Sequence, residues 1–324
     1  MQDSGSAHTA DSVVSLDGLD RRIVGALQVD GRAETSRIAT VLGVSARTVA
    51  RRLTRMRDAR VLTVVRTVVA EQSVGATLLR VRVLRGRLRA IADSFARRPD
   101  VGSVDIVVGG EEIDVLVTAG PADRDRLLFH QLPATGAITS TTAHSVLHTF
   151  ADAADWRTDA LTPGEAAALA PRSQNTTAHT PDRLDLRLLD LLAEDARLPH
   201  TALAQRTGAS ESTVRRRLRH LSEGGMLRTH VTINPRLLGL AIDANLWLEV
   251  PPAHLHGAGQ ALAAHPYTHA VAATTGPANL VAALYCPDLQ ALYDFTANVL
   301  GPLGIARAET NVIAETVKRV GARQ

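Results

Sequence analysis

Apolar positions along this chain pass from helical to alternating spacing twice, in the same order each time. From Leu19 they fall at Leu19, Ile23 and Leu27, with Val24 and Ala26 beside them, which predicts a helix ending near Asp30-Gly31. A second helix is expected from about Thr35, with Ile38, Ala39 and Leu42 inward. Gly43-Val44-Ser45 then reads as a tight turn. Gly43 can take the left-handed conformation that closes a helix, and Ser45 can accept backbone hydrogens at the start of the next. The third helix buries Val49, Leu53 and Met56. The same reading applies to Leu184, Leu188 and Leu191, then Leu203 and Ala204, then Gly208-Ala209-Ser210, then Val214, Leu218 and Leu221.

Beyond each helical unit the spacing alternates. A linking strand near 64–69 is followed by a strand at 77–84, a helix at 88–97, strands at 103–108 and 113–118 around Gly109-Gly110, a helix at 123–132 and a strand at 138–147. The second half gives strand 244–250, helix 255–264, strands 269–274 and 280–285 around Thr275-Gly276-Pro277, helix 289–299 and strand 305–313. The expected fold class is therefore α+β: two winged-type helix-turn-helix domains, each followed by a ferredoxin-like βαββαβ sandwich. Such a sheet has an open face and edges, and face-to-face pairing of the two copies would cover them.

The halves are a duplication. Leu19–Leu62 lies over Leu184–Leu227 without a gap at a constant offset of 165, with about a third of positions identical. The implied organisation is a disordered tail (1–15), helix-turn-helix domain 1 (16–70), sandwich 1 (71–150), a linker with a short helix starting at Thr162-Pro163-Gly164-Glu165 (151–180), helix-turn-helix domain 2 (181–235) and sandwich 2 (236–324).

Net charge over 324 residues is only +3, but its distribution is uneven. Residues 16–66 hold eleven Arg against five acidic residues, and residues 181–230 hold nine against seven, so positive charge gathers where phosphate contact would need it. A single cysteine, Cys286, allows no disulfide framework and fits a reducing, cytoplasmic setting with nucleoid association. The polar N-terminus does not read as a secretory signal, and no apolar run approaches the ~18 residues of a membrane span, so no membrane partner is expected. The closest histidine sets, His254 with His256, His265 with His269, and His144 with His148, lack further ligands at familiar spacing, so neither metal nor cofactor is expected. Nucleotide-binding and hydrolase motifs are absent.

LDGLDRRIVGALQVDGR, RIATVLGVSARTVARRLTRM and the βαββαβ unit, repeated as RLDLRLLDLLAEDAR, ALAQRTGASESTVRRRLRHL, GGML and TTGPANL, together resemble the leucine-responsive/asparagine regulator (Lrp/AsnC) family of transcription factors. The resemblance covers nearly the whole chain, twice. It implies DNA binding through the helix-turn-helix, and self-association and binding of a small effector such as an amino acid through the sandwich. The usual member has one copy per chain and dimerises; the fusion departs from that pattern.

With Val49 on the buried face at ~100° per residue, Arg47, Arg51 and Thr54 point nearly opposite, with Arg55 close by. Arginines there can reach guanine edges in the major groove. The second copy offers Ser212, Arg216, Arg219 and His220. Arg52 and Arg217 sit to the side, as phosphate or packing partners, and the helix starts add Ser45, Thr48, Ser210 and Thr213. The family's effector loop is matched by Thr275, Gly276 and Asn279 in the second copy and less well by Gly110 and Asp114 in the first, where Glu111 and Glu112 would repel a carboxylate; Thr310 is a further candidate. The effector is thus expected mainly in the second sandwich. The leading reading is a non-enzymatic, sequence-specific DNA-binding transcriptional regulator responding to a small molecule. The alternatives are an effector-independent nucleoid-organising protein and, against the retained basic helices, an enzyme resembling sirohaem decarboxylases.

Overall fold

A computed structural model describes residues 15–59, 61–68, 76–153, 155–170, 181–195, 197–223 and 227–319. The expected tail (except residue 15), the 171–180 part of the linker and Gly224–Met226 lie outside the described residues. The first helical unit is α1 (Gly18–Val29), α2 (Thr35–Leu42) and α3 (Ala46–Asp58). Asp17 caps α1 in a reciprocal box with Asp20, and Ile23, Val24 and Leu27 meet Ile38, Val49, Leu53 and Met56 in one core. β1 (Leu62–Val68) leads to the first sandwich: β2 (Thr77–Val83), α4 (Leu88–Ala96), β3 (Val101–Val107), β4 (Glu112–Val117), α5 (Pro121–Arg126) with a following π turn, and β5 (Ile138–Ala151).

The linker contributes α6 (Pro163–Leu169), capped by Thr162 and Glu165. It packs on α1 and α2, with Leu169 fully buried in the first helical core beside Trp156 and Leu161. The second half repeats the order: α7 (Arg183–Glu194), α8 (His200–Thr207), α9 (Glu211–Glu223), β6 (Leu227–Ile233), β7 (Ile242–Glu249), α10 (Pro252–Ala263), β8 (Thr268–Thr274), β9 (Leu280–Cys286), α11 (Leu289–Asp294) with its own π turn, and β10 (Arg307–Lys318).

Within each half the strand order is that of a ferredoxin-like sandwich, β3-β4-β2-β5 and β8-β9-β7-β10, all antiparallel, with separate cores under the helices. Two expectations need correction. The strand after each helix-turn-helix is not a wing of its own unit. β1 pairs antiparallel with β6 from Leu62↔Ile233 to Val68↔Leu227, a ribbon that ties the copies together. Nor do the sandwiches remain separate sheets merely facing each other, for the eight strands form one closed barrel. The last strands are longer than the periodicity suggested and serve both sheets. β5 pairs with β2 over 138–145 and with β8 from Val146 to Ala151; β10 pairs with β7 from Arg307 to Val312 and with β3 from Ile313 to Lys318. The edges β3 and β8 are thereby consumed, and closure leaves neither sheet with an unpaired border.

Candidate nucleic-acid interface and effector positions

Both recognition helices start the same way. Gly43 (φ 69°) and Gly208 (φ 74°) close the preceding helix in the left-handed conformation that favours glycine. Ser45 Oγ accepts from Thr48 N at 3.1 Å, and Ser210 Oγ from Thr213 N at 3.1 Å. α3 then buries Val49, Leu53 and Met56, and α9 buries Val214, Leu218 and Leu221. The opposite faces present Arg47, Arg51 and Thr54 in α3, and Ser212, Arg216 and Arg219 in α9, all exposed.

The remaining basic candidates divide. Arg52 turns inward, its Nη1 2.6 Å from Asp17 Oδ2 and 2.9 Å from Asp20 Oδ1, and Arg55 joins it on Asp20. Arg217 repeats the arrangement at 2.7 Å from Asp182 and 3.3 Å from Asp185. Asp20 and Asp185 are fully buried. These arginines therefore clamp the third helix of each unit to the first rather than standing free. The hydrogen bond from Arg52, with the guanidinium charge, pulls the Asp17 carboxyl down to about 2. His220 in α9 replaces Arg55 and is exposed. The acidic half of this clamp was missed in the sequence. The available signal was that Asp17/Asp182 and Asp20/Asp185 are identical between copies while Asp20 lies next to the buried stripe.

The two helix-turn-helix units also hold each other. Arg32 donates to Leu198 O at 3.3 Å, and Arg197 donates to Gly31 O at 2.9 Å and Ala33 O at 3.4 Å. At an offset of 165, Arg32 corresponds to Arg197 and Ala33 to Leu198. The contact is reciprocal, as across a two-fold axis.

The six effector candidates do not converge. Thr275 is bound to β5: its Oγ1 accepts from Ser145 N at 2.9 Å, and its carbonyl lies 2.8 Å from His144 Nδ1. A Cβ on Gly276 would come within 2.8 Å of the same imidazole. Asn279 is fully used on Val250, accepting from its N–H and donating to its carbonyl, each at 2.8 Å. Thr310 is exposed on β10, and Gly110 sits in the exposed β3–β4 turn. Asp114 instead lies inside the barrel, on the wall of a cavity of about 330 Å³ that also exposes Asp105, Asp243 and Tyr285.

Paired, capped recognition helices on two joined α/β sandwiches define a tandem helix-turn-helix protein. Comparison with known proteins agrees. The model of the AsnC-type helix-turn-helix domain matches residues 16–57 and 182–222, and that of the Lrp/AsnC ligand binding domain matches 244–322. HTH-type transcriptional regulator Ptr1 of Methanocaldococcus jannaschii is 32% identical over 123 residues, covering 38% of this chain and 83% of the relative. HTH-type transcriptional regulator LrpA of Pyrococcus horikoshii is 27% identical over 139 residues, 42% of this chain and 99% of the relative. The chain belongs to the Lrp/AsnC family, in a form that carries the family unit twice. Its tandem fold is also that of the siroheme decarboxylase NirDL, with a TM-score of 0.60 over 94% of this chain and 93% of the other at 13% identity. At that identity the likeness concerns the fold alone.

Proposed function

We propose that the chain is a sequence-specific DNA-binding transcriptional regulator that applies both recognition helices to one DNA molecule and responds to a small molecule. One observation carries this reading: Arg51 and Arg216, equivalent in the repeat, are both exposed and make no hydrogen bond or ion pair among the described residues, while the arginines beside them, Arg52 and Arg217, are consumed by the fold. A free guanidinium on the outer face of a recognition helix is suited to bidentate contact with guanine.

The fusion also lets the half-sites differ. Arg47 stands where the second copy has Ser212, and Thr54 where it has Arg219. Selection of binding sites from random duplexes with the full chain, with and without amino acids, tests the proposal. The expected result is an imperfect palindrome with a shared central base, its halves about one helical turn (~34 Å) or a multiple apart. Arg51→Ala and Arg216→Ala should each cost roughly 1–3 kcal/mol of specific binding. Exchanging Arg47→Ser with Ser212→Arg should swap the half-site preferences. Wild-type affinity in Arg216→Ala would show that the second helix does not read bases.

The whole-chain likeness to a decarboxylase also crystallised with an iron-uroporphyrin III analogue favours no transfer of that activity. A carboxylate-bearing macrocycle placed in the barrel would meet Asp105, Asp114 and Asp243, and the lining guanidinium, Arg319, is already engaged by Asp243 and Tyr285.

A further inference from the structure

The barrel interior is chemically lopsided. On the first sandwich Asp105 stands directly opposite Asp114 across β3 and β4, a like-charge cross-strand pair that is unfavourable unless something compensates it. The register gives the equivalent positions of the second sandwich. Asp114 pairs with Arg80 of β2 and Asp105 of β3; at the same distance from the bulge in β8, Val281 pairs with Trp247 of β7 and Ala272 of β8. The copy-two counterparts of Asp105 and Asp114 are therefore the apolar Ala272 and Val281, and they line the same cavity.

The acidic wall is not neutralised from within. Arg80 is taken by Glu112 and Glu309. Arg319 lies 3.7 Å from Asp243 and donates to the Tyr285 hydroxyl at 3.1 Å. Neither Asp105 nor Asp114 forms an ion pair among the described residues. Asp114 is 6% exposed; its Oδ2 accepts from Asn245 Nδ2 at 2.8 Å, and its Oδ1 has no hydrogen-bond partner. A buried carboxylate oxygen left this way calls for a donor. Burial pushes Asp114 up to about 7, burial and the charge of Asp243 push Asp105 upward, and burial pushes Asp243 upward as well. A bound cation would relieve that cost. Among the described residues no group of three or more His, Cys, Asp or Glu side chains is placed to hold a metal ion, and the largely apolar remainder of the lining suits an organic cation.

We propose that the barrel cavity binds a small organic amine lacking a carboxylate, its ammonium donating to Asp114 and Asp105 and its apolar body lying along the apolar wall of Ala272, Val281 and Trp247. A free carboxylate on the ligand finds no cationic partner there, because Arg319, the guanidinium among the described lining residues, is already engaged by Asp243 and the Tyr285 hydroxyl. The cavity is also lined by Trp156 and Ile233, which pack on the core of the first helix-turn-helix, so the ligand would sit against the base of a DNA-binding unit. This names the input of the proposed regulator and rests on that reading for its consequence, but binding itself is measured without DNA and fails or succeeds separately.

Both tryptophans of the chain, Trp156 and Trp247, line the cavity, so their fluorescence reports occupancy. The full chain is titrated with phenethylamine and cadaverine, and with their carboxylated parents phenylalanine and lysine. At least one amine should give a saturable change, with affinity at least about ten-fold above its parent, and Asp114→Asn and Asp105→Asn should each weaken it by about ten-fold. Thermal unfolding confirms that the variants fold. No saturable response to either amine, a parent binding as well as its amine, or wild-type affinity in both Asn variants would overturn the proposal.

Discussion

Replacing Arg52 by alanine should loosen the first helix-turn-helix, whereas replacing its neighbour Arg51 should not. Arg52 grips two carboxylates of different worth. Asp17 has a half-exposed side chain, and such a pair contributes ~0–1 kcal/mol. Asp20 has a side chain only 1% exposed. Stripping a buried carboxylate of all its partners costs about 3–5 kcal/mol, but Asp20 would keep Arg55 and the Asp17 N–H, so the loss is nearer that of one charged hydrogen bond, about 1.5–3 kcal/mol. Together these give roughly 2–3 kcal/mol, or amide exchange from α1 and α3 accelerated roughly 30- to 150-fold by local opening. Arg51→Ala should leave that exchange within about 0.5 kcal/mol of wild type while losing operator affinity. Hydrogen exchange followed residue by residue, with fluorescence anisotropy on the selected operator, measures both. The acid limb adds a check. Asp17 is depressed to about 2, so its contribution is present above the ordinary carboxylate range and disappears as pH falls from about 4 to 2. If Arg52→Ala leaves exchange unchanged and instead lowers the salt dependence of binding by one counterion, Arg52 is a phosphate ligand and the reasoning is refuted.

Two further outcomes follow from the barrel. Asp114 sits near 7 when folded and about 3.9 when unfolded, so between those values the folded chain holds a proton the unfolded chain has lost. Stability should therefore fall as pH rises through this window, and melting at pH 5 and pH 8 should show a drop that shrinks in Asp114→Asn; an undiminished drop sinks the assignment. At the join between copies, Phe150 of β5 fills the notch left by Gly259 of α10, where a Cβ would collide with the ring. Gly259→Ala should cost about 1–3 kcal/mol in overpacking, offset by about 0.5–1 kcal/mol of helix propensity. Phe150→Leu should recover the loss, and a Gly259→Ala variant that melts at or above wild type would show that the notch is slack.

What could be read from the sequence follows the range of the interactions involved. The helical stripes, the Gly43 and Gly208 turns and the strand order within each sandwich are set by neighbours close in sequence, and periodicity exposes them. Alternation along β4 marks Glu112 and Asp114 as one face and Ile113 and Val115 as the other, but not what covers the polar face. Asp114 therefore read as a loop-side effector candidate, while the fold puts it at the centre of a barrel. β1 and β6 looked like wings because their true partners lie about 165 residues away. The second halves of β5 and β10 were cut short for the same reason: their pairing is with the other copy, and nothing local announces it. The Thr275–Asn279 loop matched a pattern whose polar groups are here spent on β5 and Val250.

A two-fold dimer repeats every interior residue, so a wall carrying Asp105 and Asp114 would face a second such wall and place four carboxylates around one cavity. Joining the copies removes that constraint. The reciprocal Arg32 and Arg197 contacts keep the geometry by which a dimer presents two recognition helices, while positions off that contact are free to differ. The carboxylates are matched by Ala272 and Val281, α6 packs on the first helix-turn-helix, and Arg47 answers to Ser212. Each difference breaks symmetry at a different level: the ligand cavity, the support of one DNA-binding unit, and the surface turned to DNA. A barrel with one polar and one apolar wall admits a single orientation of an amphipathic ligand, which a symmetric barrel cannot impose. Because Trp156 and Ile233 pack both on that cavity and on the braced unit, the asymmetry of the interior is in direct contact with the first of the two readers.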